Sequence, residues 1–326
     1  MLVEGANKEG NLDPSDMDDT SLPAAITDTG CERDLNEDRY AVVECDSGVV
    51  WIVCDGMGGQ SGGELAAQLA IDAIRRDLQN MPRRSPESAL KSSILEANRI
   101  IVLRRQNQAF ANMGTTIVSA IFYGPEVALA HVGDSRAYLV RDGAIQQLTT
   151  DHTYVQSLVD SGQIEVDDAL SHPQAHILTR CIGSEPGLEI AMSKFWLWDA
   201  VEGEEKDRLI LCSDGLYSLI TEGEIASMVS ELAPQQACVR LVELCKERGG
   251  FDNITVAIIP LSGQLQKEPP VGYEEQRRRR QEREILRQQA AFRGGNMIRS
   301  LGVVFVLSCL AILMTIFVVA FLVRAG

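Results

Sequence analysis

The sequence predicts an α+β fold of mostly antiparallel strands, followed by a single membrane-spanning helix near its C-terminus. Three observations lead there. Short apolar, β-branched runs recur at 49–54, 127–132, 209–212 and 254–259, and runs of this length bounded by turn residues read as buried strands. Between them lie stretches with apolar residues three and four apart, the spacing of amphipathic helices. The third observation is residues 301–323, which carry no charge over 23 positions.

In chain order, residues 1–22 are polar and acidic without periodicity, which predicts a flexible tail. A basic start leading into an apolar core and a small-residue cleavage site is not present, so no secretory signal is expected. Residues 63–78 and 86–105 read as two helices through Leu65, Leu69 and Ile74, then Leu90, Ile94, Leu95, Asn98, Ile101 and Val102. Short turns at Tyr123-Gly124-Pro125 and Arg141-Asp142-Gly143 predict antiparallel neighbours. Thr221-x-x-Glu224 is a capping-box pattern that opens a further helix. Residues 234–248 read as another, stopped by Gly249-Gly250.

The uncharged run 301–323 would measure about 35 Å as a helix, enough for a hydrocarbon core of about 30 Å. Arg277, Arg278, Arg279, Arg280, Arg283, Arg287, Arg293 and Arg299 precede it and only Arg324 follows. That asymmetry predicts a tail anchor with the bulk of the chain on the cytoplasmic side. The organisation expected is a tail over 1–22, a catalytic domain over 23–262, an Arg-rich juxtamembrane linker over 263–300 and the span over 301–323.

Charge divides in the same way. From residue 271 onward 9 Arg face 4 Glu, a net of +5, so the remainder carries −21 of the total of −16. An acidic body does not invite nucleic acid. The linker either touches anionic lipid headgroups or serves as a solvated spacer. The eight cysteines show no Cys-x-x-Cys spacing, and Cys54 and Cys212 lie in strand runs. They read as reduced core thiols rather than a disulfide framework.

The chemistry is carried by Arg33-x-x-Asn36-Glu37-Asp38, Asp55-Gly56-Met57-Gly58-Gly59, Gly133-Asp134-Ser135-Arg136, Ser213-Asp214-Gly215 and Asp252-Asn253. Four of the five set a carboxylate at an end of an apolar run. Gathering carboxylates at strand ends is costly unless cations sit between them. Oxygen donors of this kind suit magnesium or manganese better than zinc. The residues alone therefore predict an oxygen-lined site for more than one metal.

The order and wording of these motifs, with Met113-Gly114-Thr115-Thr116 and the stretch 148–156 (LTTDHTYVQ), resemble the metal-dependent Ser/Thr phosphatases of the protein phosphatase 2C type, the bacterial branch above all. The resemblance runs from about Ile26 to about Pro260. It implies two packed antiparallel β-sheets flanked by α-helices, with the metals at one end of the sandwich. It implies that Asp55 bridges two Mn2+ or Mg2+ ions, that Gly56 gives a backbone carbonyl, and that Asp214 and Asp252 complete the first metal. Glu37 and Asp38 would meet the metals directly or through water. Asp134, with Asp214, would hold a third, weaker ion; the other reading is a plain turn in which Asp134 bonds its own backbone. Arg33 would grip the substrate phosphate. Arg33, Asp55 and Asp214 are thus the candidate catalytic residues, and the implied reaction is hydrolysis by water activated between two cations. Residues 153–187 resemble a mobile flap near the site.

One departure concerns the proton donor. Bacterial relatives often have histidine after Asp-Gly-Met-Gly-Gly, where this chain has Gln60, and eukaryotic ones have it where Met57 stands. His131 reads as a core residue and His152 as a loop-ordering one. The expected partners are phosphorylated Ser/Thr proteins, Ser/Thr kinases among them, and a membrane. Two rival readings are a phosphoprotein-binding pseudophosphatase and a nucleotide hydrolase. The latter lacks any Gly-x4-Gly-Lys-Ser/Thr loop.

Overall fold

A computed structural model describes residues 20–58, 62–199, 207–270, 272, 273, 275 and 278 of the 326-residue chain. Gln60, most of the acidic tail, most of the Arg-rich linker and the candidate span 301–323 lie outside the described residues. Among the described residues no helix is long and apolar enough to cross a membrane. The chain divides into two units, Met1–Glu268 and Pro269–Gly326. In the second, the Tyr273 N–H donates to the Pro270 carbonyl at 2.9 Å. All that follows concerns the first.

Its strands, in order, are β1 Ala24–Asp28, β2 Arg39–Cys45, β3 Gly48–Cys54, β4 Gly56–Met57, β5 Gly114–Thr115, β6 Ile117–Tyr123, β7 Glu126–Val132, β8 Arg136–Arg141, β9 Ala144–Gln147, β10 Ala191–Asp199, β11 Arg208–Cys212, β12 Ile254–Pro260 and β13 Gly263–Gln266. The helices are α1 Gly62–Asn80, α2 Pro86–Arg104, α3 Tyr154–Asp160, α4 Asp214–Tyr217, α5 Glu222–Glu231 and α6 Pro234–Glu247. One sheet runs β1-β12-β11-β8-β9, a second β13-β10-β7-β6-β3-β2, and β4 pairs β5. Every pairing is antiparallel. Strand β13 falls in the stretch read from sequence as the start of the linker.

Alternation along the strands explains the layering. On β3, Val50, Ile52 and Cys54 pack against α1 and α2, while Trp51 and Val53 face the other sheet. On β11, Leu209 and Leu211 join the same inter-sheet core, and Ile210 and Cys212 face α4, α5 and α6. A strand covered on both sides must be apolar at every position, which is why these runs lack a two-residue polar rhythm. The result is a four-layer sandwich, helices–sheet–sheet–helices, with three apolar cores. The capping box read from the sequence is realised: Thr221 and Glu224 bond reciprocally. Ser85, given no role in the sequence reading, caps α2 ahead of Pro86.

Register places the acidic motifs together. Arg39 of β2 pairs Cys54 of β3, and Val53 pairs Val118 of β6. Ile117 pairs Val132 of β7. In the other sheet Cys212 pairs Val256 and Arg136, and Ile254 pairs Asp28. Asp38, Asp55, Asp134, Asp214 and Asp252 therefore all leave or enter strands at one end of the sandwich. The loops 29–38 and 133–135 and the long segment 148–190 are the places at this end where the chain passes from one sheet to the other.

Candidate metal centre

Asp55 follows β3 directly, and its backbone is fixed on both sides by the Met113-Gly114-Thr115-Thr116 motif. The Asp55 N–H donates to Thr116 Oγ1 at 3.0 Å. The Asp55 carbonyl accepts from the Thr116 N–H at 2.8 Å and from Thr115 Oγ1 at 2.9 Å. Thr116 Oγ1 also meets Ser135 Oγ at 2.6 Å, which joins the Asp55 turn to the Gly133-Asp134-Ser135-Arg136 loop. Next along, a side chain on Gly56 would stand 2.1 Å from the Gly63 carbonyl and 2.7 Å from that of Glu37. Only glycine lets the turn press against the start of α1 there.

Asp38 and Asp214 are brought together across the two sheets. Ser213 Oγ donates to Asp38 Oδ2 at 2.7 Å and accepts from the Thr255 N–H at 3.0 Å. Asp38 is buried, and its other oxygen, Oδ1, has no protein partner among the described residues; the same holds for Asp214 Oδ1. Burial raises the Asp38 carboxyl to about 7, opposed by its hydrogen bonds from Ser213 and Thr255 and reinforced by the charges of Asp214 and Asp252. Burial likewise raises Asp214 to about 6, with repulsion from Asp252 adding. A hydrogen bond shared with Asp55, the Arg33 charge and the Gly215 N–H pull it back. Asp55 stands well above the ordinary carboxylate range, first through burial, then through Asp38, Asp214, Asp134 and Asp252. Asp134 is raised by burial, then by Asp214 and Asp151; its own backbone N–H and Arg136 oppose the rise.

Five carboxylates thus repel one another in a poorly solvated corner, with two buried oxygens unpartnered. Unsatisfied buried acceptors and clustered like charge are the conditions that a cation relieves. An all-oxygen donor set with a backbone carbonyl beside it fits a hard divalent ion. Among the described residues no group of three or more His, Cys, Asp or Glu side chains is already drawn tightly enough to cage an ion.

The remaining candidates differ from one another. The Glu37 side chain accepts from the Gly63 N–H at 3.1 Å and its carbonyl from the Gly56 N–H at 3.2 Å, so Glu37 braces the Asp55 turn. The Arg33 side chain is 49% exposed and holds Asp252 Oδ2 at 2.9 Å. Asp134 lies in a firmly held loop. Gly133 takes φ +102° with its α-carbon against Thr116, and the Asp134 carbonyl accepts from the Tyr217 hydroxyl at 3.0 Å. Arg136 forks onto Asp151 and stacks on the Tyr217 ring.

Both histidines nearest the motifs are committed to backbone. His131 Nε2 bonds the Thr150 carbonyl at 2.8 Å, and His152 Nδ1 accepts from the Gly133 N–H at 3.1 Å. The rings stack 4.7 Å apart. Burial lowers both, His152 to about 4 with the His131 and Arg180 charges adding. Residues 153–187 contain α3 and then irregular chain, anchored at the far end by fully buried Ile182. Asn98 of α2 accepts from the Gly183 N–H at 2.7 Å and donates to the Glu185 carbonyl at 2.8 Å.

Sequence reasoning gave no role to Ser213, Thr115, Thr116 or Asn253. Asn253 accepts from the Glu37 N–H and donates to the Thr29 and Leu35 carbonyls, which stitches the two loops that carry Arg33 and Asp252. The available signal was polarity: each is a hydroxyl or amide within two residues of a glycine or aspartate of a motif, where a buried polar side chain must have a partner.

Comparison with known proteins agrees with this geometry. The sequence pattern of the family described as Protein phosphatase 2C matches residues 32–245. The chain is 35% identical over 240 residues to the serine/threonine phosphatase stp of Listeria monocytogenes, covering 72% of this chain and 93% of that one. The crystal structure of the Mycobacterium tuberculosis serine/threonine phosphatase PstP matches with a TM-score of 0.65 and 34% identity, over 74% of this chain and 98% of that one. A PstP catalytic domain in complex with two manganese ions matches with a TM-score of 0.63 and 32% identity, over 73% and 96%. Seven ordered motifs, a two-sheet sandwich with its carboxylates at one end, and these likenesses lead to one conclusion: the chain belongs to the protein phosphatase 2C family, among its bacterial serine/threonine phosphatases.

Proposed function

We propose that this chain hydrolyses phosphoseryl and phosphothreonyl groups of proteins with two divalent ions, held by Asp55, Asp214 and Asp252 and the Gly56 carbonyl. The observation that carries the reading is the pair of unpartnered buried oxygens on Asp38 and Asp214 inside a cluster of five carboxylates. When bound, the ions supply an activated water and neutralise charge on the phosphoryl oxygens. Manganese is favoured over magnesium by likeness to the PstP complex.

The protein's own groups divide the remaining work. Arg33 sits at the exposed rim on Asp252; its fork is suited to two phosphate oxygens once Asp252 turns to a cation. Asp38, held by Ser213, presents its free oxygen to the metals directly or through water. Glu37 acts through the Asp55 turn that it braces. Asp134 faces Asp214, and the two together form the place for a third, weaker ion. Neither His131 nor His152 is the proton donor in this scheme: His131 Nε2 is held by the Thr150 carbonyl, and both nitrogens of His152 already meet the Gly133 N–H or Arg180.

The catalytic domain works at the cytoplasmic face of a membrane, tethered by the uncharged segment 301–323, and opposes Ser/Thr kinases. Support for the tether is the length of that segment and its basic flank.

The test is phosphate release from a phosphothreonine peptide with manganese, with chelator, and with Asp214→Asn. Turnover that needs metal and disappears in the variant is expected. A folded, metal-loaded chain without turnover would leave a phosphoprotein-binding module instead. Carbonate extraction of membranes tests the tether: full-length chain should stay in the pellet and a chain ending at residue 300 should be released.

A further inference from the structure

Beside Arg33 the surface carries two exposed apolar side chains, Phe251 at 45% and Leu35 at 47%. Single exposed hydrophobics are ordinary. These two differ in where they stand and how firmly their backbones are held. Arg33 Nε donates to the Phe251 carbonyl at 3.3 Å, and its Nη2 to Asp252 at 2.9 Å. The Cys31 N–H donates to the Gly250 carbonyl at 2.7 Å, and Asn253 Nδ2 holds the Leu35 carbonyl at 3.0 Å. The ring edge of Phe251 lies 3.6 Å from where a side chain on Gly249 would begin, so it rests over bare backbone. Two stitched loops thus carry an exposed Phe251, whose carbonyl Arg33 holds, on one loop and an exposed Leu35, two residues beyond Arg33, on the other.

We propose that Phe251 and Leu35 are specificity-determining residues, an apolar lip that favours phosphoproteins with an apolar or aromatic side chain next to the phosphorylated residue. The inference rests on the reading of Arg33 as the phosphate grip. An extended peptide advances about 3.3–3.6 Å per residue. A phosphoresidue held at Arg33 therefore brings its immediate neighbours to a ring whose own carbonyl is already hydrogen-bonded to that arginine. Rigid aromatic side chains on fixed backbone lose little freedom on contact, which is why they anchor recognition. An anionic or small polar neighbour would leave the ring in water and gain nothing from it.

The experiment uses the full-length chain with manganese and two phosphothreonine peptides, identical except for Phe or Ser on both sides of the phosphothreonine. The preference is read as the ratio of kcat/KM within each variant, so any change in overall activity cancels. The unaltered chain should favour the Phe peptide roughly tenfold, mainly through KM. Phe251→Ser should bring the ratio to within about twofold of unity, and Phe251→Leu should keep most of it. Leu35→Ser should lower it less than Phe251→Ser. An unchanged ratio in Phe251→Ser, or equal turnover of both peptides by the unaltered chain, overturns the inference while leaving the phosphatase reading intact. No release from either peptide or from p-nitrophenyl phosphate overturns the phosphatase reading, and this inference falls with it.

Discussion

Strand β11 has a carboxylate just beyond each end, and the two are treated in opposite ways. Asp207, ahead of the strand, is fully enclosed and receives both prongs of the Arg141 guanidinium at 2.7 and 2.6 Å. The Leu265 N–H donates to it as well. Asp214, just past the other end, keeps one oxygen without a partner among the described residues and faces Asp38, Asp55 and Asp252. One end carries its cation in the sequence. The other gathers negative charge and leaves the cation to come from solution. The difference separates a carboxylate that fastens the sandwich from one that works: the first is satisfied on folding, the second only on binding.

The sharpest way to break this comparison is to neutralise each end in turn. Asp214→Asn should lower phosphate release by about a thousandfold or more, a loss on the scale of removing a principal electrostatic element, while the metal-free chain melts no lower than before. Asp207→Asn should do the reverse. It breaks a forked ion pair whose carboxylate is fully enclosed and whose guanidinium is 30% exposed, at a cost of about 1.5–3 kcal/mol, seen as a lower melting temperature, with activity per folded molecule retained. If both variants lose stability equally, the two ends are not different in kind.

The pH dependence sharpens the same contrast. Asp38 and Asp214 are held above their ordinary values when folded, to about 7 and about 6. Between about pH 4 and 7 the folded chain therefore binds more protons than the unfolded one, and stability falls as pH rises. The metal-free chain should melt higher at pH 5.5 than at pH 8, the whole penalty being present above the folded values. Manganese should flatten that slope, because a cation replaces the proton. A metal-free melting temperature that rises with pH over this window would contradict the crowding of carboxylates. The smallest effect expected is at the flap. Asn98→Ala leaves the buried Gly183 N–H without its partner and frees the part-buried Glu185 carbonyl, at about 1–3 kcal/mol, and should speed amide exchange in 181–187 without altering the central strands.

Much of this was legible because the central strands are covered on both faces. Residues 49–54 are apolar at every position and 254–259 at all but Thr255, and a carboxylate at the end of such a run is conspicuous. The edges were harder. β9 (AIQQ) and β13 (GQLQ) alternate half-exposed residues at the sheet margins, where pairing rather than composition makes the strand. Asn98 was read as one position on an apolar helix face; it is buried there, but as the clasp on the flap, and nothing in a 3.6-residue period distinguishes the two. The partnership of Ser213 with Asp38 spans 175 residues of sequence, and no local pattern encodes a contact of that separation. Arg33 was read for its charge toward phosphate, and its present partner, Asp252, follows only from loops that meet in three dimensions.

The Asp134 and Arg33–Asp38 loops cross between sheets, while Asp55 belongs to the six-stranded sheet and Asp214 and Asp252 to the five-stranded one. The carboxylate cluster therefore works like the two scales of a vernier. Its members line up only when the sheets lie in one alignment, and a slip of a single residue, about 3.3 Å, would carry Asp55 past Asp214. Catalytic competence in this molecule is thus a readout of how two otherwise separate halves are set against each other.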